Sequence, residues 1–246
     1  ARIILSENRP FSMETAACDE EYEPSSEYDS SFALQIFAAR EAVFKILAKE
    51  SLSIHEKLIV ILDMGSKIQQ CINTDEYDNI KSVVNDYLKE GIAHTLDETR
   101  NLSDSGQFED ISLQQGIRQI LYPYEEMEVL NPEWEVILKD IIDSLFEQMS
   151  DEEYNILNEE FGTYMVSRAY EYRQLLEYFV FRYFAKSIYD YDFLGKCQML
   201  VTNFFVIRQM DIIRWLDNHR EYSFKDRMDV CLLYTSPSPR DGLLSR

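Results

Sequence analysis

Apolar residues recur every three or four positions along most of this chain, which is the spacing of one face of an α-helix. The clearest apolar faces lie in residues 32–46, 58–72, 80–88, 137–146 and 193–215. The alternation that marks a half-buried strand does not persist anywhere. With only 7 glycines and 6 prolines, the chain has few residues that interrupt helices. The pattern therefore predicts an all-α fold, a multi-helix bundle of mostly antiparallel helices.

Local signals predict where several helices begin and end. The segments Ser53-Ile54-His55-Glu56 and Ser150-Asp151-Glu152-Glu153 both fit the capping box, in which serine and glutamate satisfy backbone N–H groups reciprocally. Asn131-Pro132-Glu133 predicts a helix start, and Ser223 predicts the cap of a last helix. Gly162 predicts the end of the helix that the second capping box opens.

The remaining boundaries follow from the periodicity. We expect a third helix over residues 75–96, an internal loop over 99–111, and a helix over 113–130 that is interrupted near Pro123. Two long helices are expected over residues 164–189 and 193–218.

The two ends of the chain differ from its middle. Residues 1–31 read as the end of a preceding helix followed by an acidic linker, because residues 10–31 are rich in serine and carboxylates and poor in apolar side chains. Residues 32–230 are predicted to form one helical domain. Residues 231–241 read CLLYTSPSPRD, which resembles a translated sequencing adapter. Residues 231–246 are therefore interpreted as an artefact and expected to be disordered.

Charge and cysteine spacing exclude several classes of function. The formal net charge is −21, from 24 basic and 45 acidic residues, which argues against a nucleic-acid partner. The four cysteines lie far apart with no CxxC pair, so they predict neither a metal site nor a disulfide framework and fit a cytoplasmic protein. Every long apolar run carries charges, so no membrane span is expected. The oligomeric state stays open.

Residues 175–193, LLEYFVFRYFAKSIYDYDF, are apolar or aromatic on almost every side and still carry charges. A buried central helix is the favoured interpretation. Arg182 is flanked by aromatic residues, so its stem is expected to be buried and its guanidinium paired with a carboxylate. The carboxylates considered for this pair are Asp190, Asp192 and Asp211.

Two interpretations of these charges stay open. One is an ion pair between helices that fixes their packing, and the other is a polar pocket for a cofactor or substrate. Under the second interpretation Arg182, Tyr189 and Asp190 are the candidate site residues.

Three segments resemble one known family. ARIILSEN at the start, LLEYFVFRYFAKSIYDYDFLGKCQMLV in the body and IIRWLDNHREYSFKDRMDV towards the end are similar, in order and spacing, to the C-terminal helical portion of bacterial flagellin lysine-N-methylases. The chain departs from the family at Arg173-Gln174, where a Glu-Asn pair is expected. It also lacks the family's N-terminal cysteine-rich module, so it is interpreted as the downstream part of a longer protein.

The resemblance implies an enzyme that methylates flagellin lysines with S-adenosylmethionine. It places iron or zinc in the upstream cysteine-rich module and no metal in this chain, which alone is expected to be inactive. Because a lysine amine must be neutral to accept a methyl group, an aromatic site with a carboxylate suits the reaction. The run from Tyr189 to Asp192 offers both groups. The alternatives are a non-catalytic helical interaction module and, ranked last, a ligand-binding regulator, for which the chain offers no basic DNA-reading helix.

Overall fold

The computed structural model describes residues 30–105, 111–125 and 132–235, together with Leu5 and Asn8. All regular structure in these residues is helical, with no strand, which confirms the predicted all-α fold. Within the same residues, no helix combines the length and the apolar character needed to cross a membrane.

The helices are numbered in chain order. They are α1 (Ser30–Leu47), α2 (Ile54–Asn73), α3 (Ile80–Asp86), α4 (Ile92–Asp104), α5 (Leu113–Glu125), α6 (Pro132–Ile142), α7 (Asp151–Tyr164), α8 (Ala169–Tyr183), α9 (Ser187–Asp190), α10 (Phe193–Asp217) and α11 (Phe224–Thr235). In the described parts of the chain, some of them are connected by three single 3₁₀ turns and by two π-helical turns, Tyr87–Gly91 and Asp143–Glu147.

The described residues divide into two compact units. Unit I contains residues 111–125, 132–169 and 202–235 with Leu5, and unit II contains residues 30–105 and 170–201 with Asn8. The predicted boundaries of the helical domain, at residues 32 and 230, stay predictions. Most of the predicted acidic linker lies outside the described residues.

In unit II, α1 packs against α2 and α3, and α2 packs against α4. The apolar faces found in the sequence point inwards and bury, among others, Phe32, Ile36, Val43, Ile61, Ile68, Phe179 and Phe184. Gly65 lies close to α10, because a Cβ atom there would lie 2.6 Å from the Cys197 sulfur. No side chain fits at this position without displacing Cys197.

In unit I, α5 packs against α6 and α7. Its core is built on large aromatic side chains that are almost completely buried: Trp134, Tyr154, Phe161 and Phe204. Phe161 also contacts Trp215, with ring centroids 5.4 Å apart. Burial of such rings removes a large apolar area from water and stabilises this unit.

The predicted local start signals are confirmed. Ser53 and Ser150 each accept a hydrogen bond from the glutamate N–H three residues on, and each glutamate reaches back to the serine N–H. Ser223 caps α11 in the same way, because its hydroxyl accepts from Asp226 N–H at 3.2 Å and the Asp226 carboxylate accepts from Ser223 N–H at 2.8 Å. Helix α6 begins at Pro132, and α10 covers nearly the whole predicted range.

Several predicted ends are wrong. Gly162 lies inside α7, which continues to Tyr164; a Cβ at Gly162 would lie 3.4 Å from a terminal nitrogen of Arg208, so the glycine makes room for that guanidinium rather than ending the helix. Pro123 lies inside α5 without ending it. The predicted loop begins too early, since α4 runs to Asp104.

Two further segments differ from the prediction. The expected helix over 164–189 is divided by the 3₁₀ turn Phe184–Lys186 into α8 and α9. Helix α11 runs on through residues 231–235, past the predicted end of the helical domain at residue 230, and the expected disorder beyond that residue stays a prediction. Arg227, Val230 and Cys231 share the inner face of this helix and are all buried, so the apolar pattern continues past residue 230. Residues 236–246 lie outside the described residues.

Candidate functional site

Arg182, the first candidate, lies on the outer face of α8 and is exposed. Its Nε donates to the Tyr183 hydroxyl at 3.0 Å, and its guanidinium carbon lies 5.5 Å from the centroid of that ring. The predicted buried stem is therefore wrong, because the inner face of the helix is formed by Phe179, Val180 and Tyr183. The predicted carboxylate partners pair with other cations: Asp190 and Asp192 with Lys196, and Asp211 with Arg227.

Asp190, the second candidate, is the last residue of α9 and begins the turn that leads to α10, which we call the acidic turn (Asp190, Tyr191 and Asp192). Lys196 donates to Asp190 Oδ2 at 2.5 Å, and its ammonium lies 3.7 Å from Asp192 Oδ2. Asp192 caps α10, since its Oδ1 accepts from the Gly195 N–H at 2.8 Å. Lys196 is only 5% exposed along its side chain, whereas both carboxylates are exposed. The lysine therefore anchors the turn from inside.

The acidic turn is fixed from α2 by one side chain. Gln69 Oε1 accepts from the N–H groups of Phe193 and Leu194 at 2.9 and 3.1 Å, and its amide nitrogen donates to the Tyr191 carbonyl at 2.9 Å. Tyr191 has a φ of 55°, in the left-handed region that is unfavourable for a tyrosine. Its ring stacks on Phe32 with centroids 5.1 Å apart, which holds this conformation.

Tyr189, the third candidate, is 65% exposed, and Tyr191 is 45% exposed. The structure thus brings two exposed phenol rings and two exposed carboxylates to one corner of unit II. Rings and carboxylates of this kind attract ammonium groups. One lysine, Lys196, already neutralises part of the charge, so the geometry is compatible with both interpretations of these residues, packing and binding.

Glu177 is a buried charge that the sequence reasoning did not treat as a site. It is 2% exposed, and its Oε1 accepts from Arg173 at 3.4 Å. Its other oxygen has no hydrogen-bond partner among the described residues. Burial raises the pKa of Glu177, although Arg173 and Lys57 act in the opposite direction. The spacing of Glu171, Gln174 and Glu177 on an otherwise apolar helix was the signal that could have identified this buried polar stripe.

A second cluster surrounds Asp63 at the π-helical turn Tyr87–Gly91. Asp63 Oδ2 accepts hydrogen bonds from the Tyr87 hydroxyl, from Thr95 at 2.6 Å and from Lys67 at 3.2 Å. Burial acts to raise the pKa of Asp63, but these hydrogen bonds outweigh it and hold the pKa below its usual value. Such a carboxylate stays ionised and stabilises the π turn; it is a poor proton acceptor.

Unit I contains a fully buried ion pair between Asp211 and Arg227, both 0% exposed. The Tyr222 hydroxyl donates to the other carboxylate oxygen of Asp211. The Arg227 guanidinium also lies 5.3 Å from the centroid of the Tyr222 ring. Because the pair joins α10 to α11 and no part of it reaches solvent, we assign it to packing. Asp211 is thus the third predicted partner of Arg182 that pairs elsewhere.

The possible binding sites for a metal or a cofactor can be judged only within the described residues. Within the residues that the structure describes, no group of three or more His, Cys, Asp or Glu side chains is arranged to hold a metal ion. Unit I has a cavity of about 190 Å³ lined by residues of α6, α10 and α11. This volume is below the roughly 300–1,000 Å³ of typical small-molecule sites.

The comparisons with known proteins agree with the resemblance of the aromatic stretch. The family model described as the FliB lysine N-methylase C-terminal domain matches residues 40–236, from within α1 to the end of α11. No curated protein and no solved structure matches the chain. Because the family match covers most of its length, the chain belongs to the family of the FliB lysine N-methylase C-terminal domain.

Proposed function

We propose that this chain is the helical C-terminal part of a protein-lysine N-methylase that modifies flagellin in the cytoplasm. The observation that carries the proposal is the family match over residues 40–236. The net charge of −21 supports it, because a strongly acidic protein attracts a substrate segment that carries lysine.

S-adenosylmethionine is the methyl donor that the family implies. The cavity of about 190 Å³ in unit I does not fit a molecule of that size. The methyl donor therefore binds outside this cavity. We propose that the chain alone is inactive and that activity needs a cysteine-rich module carrying iron or zinc upstream of it.

The contribution of this chain is then substrate recognition. A substrate lysine is a cation in solution and must lose a proton before its amine can be methylated. Exposed carboxylates can hold the cation next to the reaction site, and an apolar surface favours the neutral amine by removing water. Both kinds of surface are available in this chain, in the acidic turn and in the cavity of unit I.

The test is mass spectrometry of flagellin lysines after incubation with S-adenosylmethionine that carries a deuterated methyl group. Two proteins are compared: this chain alone, and this chain joined to the cysteine-rich module of a family member. We expect labelled lysine only with the joined protein. Flagellin whose lysines have been acetylated is the control, and it should remain unlabelled.

The possible results separate the functions. Label transferred by the chain alone would show that the proposed inactivity is wrong. If the folded joined protein binds flagellin but transfers no labelled methyl group, the methylase function is contradicted. The alternative of a non-catalytic helical interaction module is then favoured.

A further inference from the structure

The cavity in unit I has an apolar wall and a charged rim. The wall is formed by Ile137, Met210, Ile213 and Val230, and the last three of these side chains are buried. These residues come from three helices, α6, α10 and α11, so helix packing rather than a loop sets the shape of the wall. An elongated apolar group fits along such a surface.

The rim carries two carboxylates, Asp140 and Asp217, and one guanidinium, that of Arg214. Both carboxylates are exposed, and among the described residues neither forms an ion pair. Arg214 lies within electrostatic reach of a third carboxylate, Asp226. The rim therefore has an excess of negative charge, which favours a cation over an anion or a neutral group.

We propose that this cavity receives the side chain of a substrate lysine. Lysine combines a four-carbon apolar stem with a compact ammonium group. The stem would lie along the wall, and the ammonium would reach Asp140 and Asp217 at the rim. The cavity volume of about 190 Å³ suits one such side chain, and the nitrogen at the open rim stays accessible from outside the protein. That the lysine belongs to flagellin rests on the proposed function, whereas the fit of a lysine side chain rests on the cavity itself.

Binding to the whole chain tests the proposal without any methyl transfer. The probe is a short Gly-Ser peptide with one lysine, and its matched control has norleucine, which keeps the stem and lacks the charge. Affinities are measured by titration calorimetry or by NMR of the chain. We expect the lysine peptide to bind more tightly, and its affinity to fall as salt is raised, because the rim is exposed.

Three variants localise the binding. Asp140→Asn and Asp217→Asn keep the shape of the side chain and are each expected to weaken the lysine peptide about twofold to fivefold, the range for an exposed ion pair. The matched control is Asp86→Asn, an exposed aspartate of unit II that does not line the cavity and should leave the affinity unchanged. Thermal unfolding of each variant checks that the fold is intact.

Two results would overturn the proposal. These are equal affinity for the norleucine peptide and unchanged affinity in the Asp140→Asn, Asp217→Asn double variant. Failure of the methylase function is distinguishable from these. If lysine binding depends on the rim but the joined protein transfers no methyl group, the lysine site is supported and the methylase function is contradicted. If the joined protein transfers methyl groups and the double variant has an unchanged KM, the methylase function is supported and the lysine site is contradicted.

Discussion

Asp211–Arg227 in unit I and Asp190–Lys196 in unit II are both ion pairs, yet they differ in exposure. Both members of the first pair are 0% exposed. In the second pair, Lys196 is 5% exposed and Asp190 is 44% exposed. Removing water from both charges makes the first pair sensitive to the loss of either partner. The second pair keeps a carboxylate in solvent, where it can still meet a ligand.

This difference in exposure distinguishes charged residues that stabilise the fold from those that are available to bind a ligand. A carboxylate that is fully enclosed contributes to the fold, and one that is half exposed is available to a partner. The acidic turn and the rim of the cavity belong to the second kind. If exposure distinguishes these two kinds of carboxylate, substitutions at enclosed and at exposed positions should differ in their effect on stability.

The largest effect is expected at the buried pair. Asp211→Asn leaves the Arg227 charge enclosed without a counter-charge, so the free energy of unfolding should fall by about 3–5 kcal/mol. Chemical denaturation of unit I, followed by the fluorescence of its tryptophans, measures this loss. A fall below about 1 kcal/mol would mean that the pair is not more important for folding than a surface pair.

The next effect concerns packing without charge. Gly65→Ala places a Cβ 2.6 Å from the Cys197 sulfur, so we expect a loss of about 1–3 kcal/mol from overpacking. Gly116→Ala is the matched control, because its Cβ would lie 3.9 Å from the nearest atom and alanine is the better helix former. That variant should gain up to about 1 kcal/mol. Equal effects of the two substitutions would contradict the close approach at Gly65.

The exposed pair should matter least to stability. In Asp190→Asn the Lys196 ammonium still has Asp192 Oδ2 at 3.7 Å, and we expect a loss below about 1 kcal/mol. Because both tryptophans, Trp134 and Trp215, lie in unit I, this loss is measured by denaturation followed by far-UV circular dichroism. A loss as large as that of Asp211→Asn would show that exposure does not separate the two pairs.

Features that depend on a few neighbouring residues could be predicted from the sequence. The capping boxes at Ser53 and Ser150 are examples, because all their partners lie within one turn. Pairings between distant residues could not. Gln69 binds the turn at Tyr191, 122 residues away, and nothing in the local pattern of either segment indicates this contact.

Arg182 shows a different kind of error. Its neighbours Phe181 and Tyr183 suggested burial, but adjacent residues of a helix point about 100° apart, so they do not share a face. The residues that do share the face of Arg182 decide its exposure. The aromatic stretch therefore indicated the family correctly and the burial of Arg182 wrongly.

Glu177 lies between the two pairs of the comparison, because it is buried like Asp211 but has one oxygen without a hydrogen bond among the described residues. Burial raises its pKa above the ordinary value of 4.5. The folded protein then holds this proton more tightly than the unfolded chain. Its contribution to stability is fully present below pH 4.5 and is lost as the pH rises towards the folded pKa.

Glu177→Gln removes this titration. We expect the free energy of unfolding of the variant, relative to that of the wild type, to increase as the pH rises above 4.5. Denaturation at several pH values up to neutrality measures the difference, and Glu159→Gln, the same change at an exposed glutamate, is the matched control. If the free energy of unfolding changes with pH equally in both variants, Glu177 behaves like an exposed carboxylate. A steeper slope for Glu177→Gln shows that burial, rather than charge alone, governs how carboxylates act in this fold.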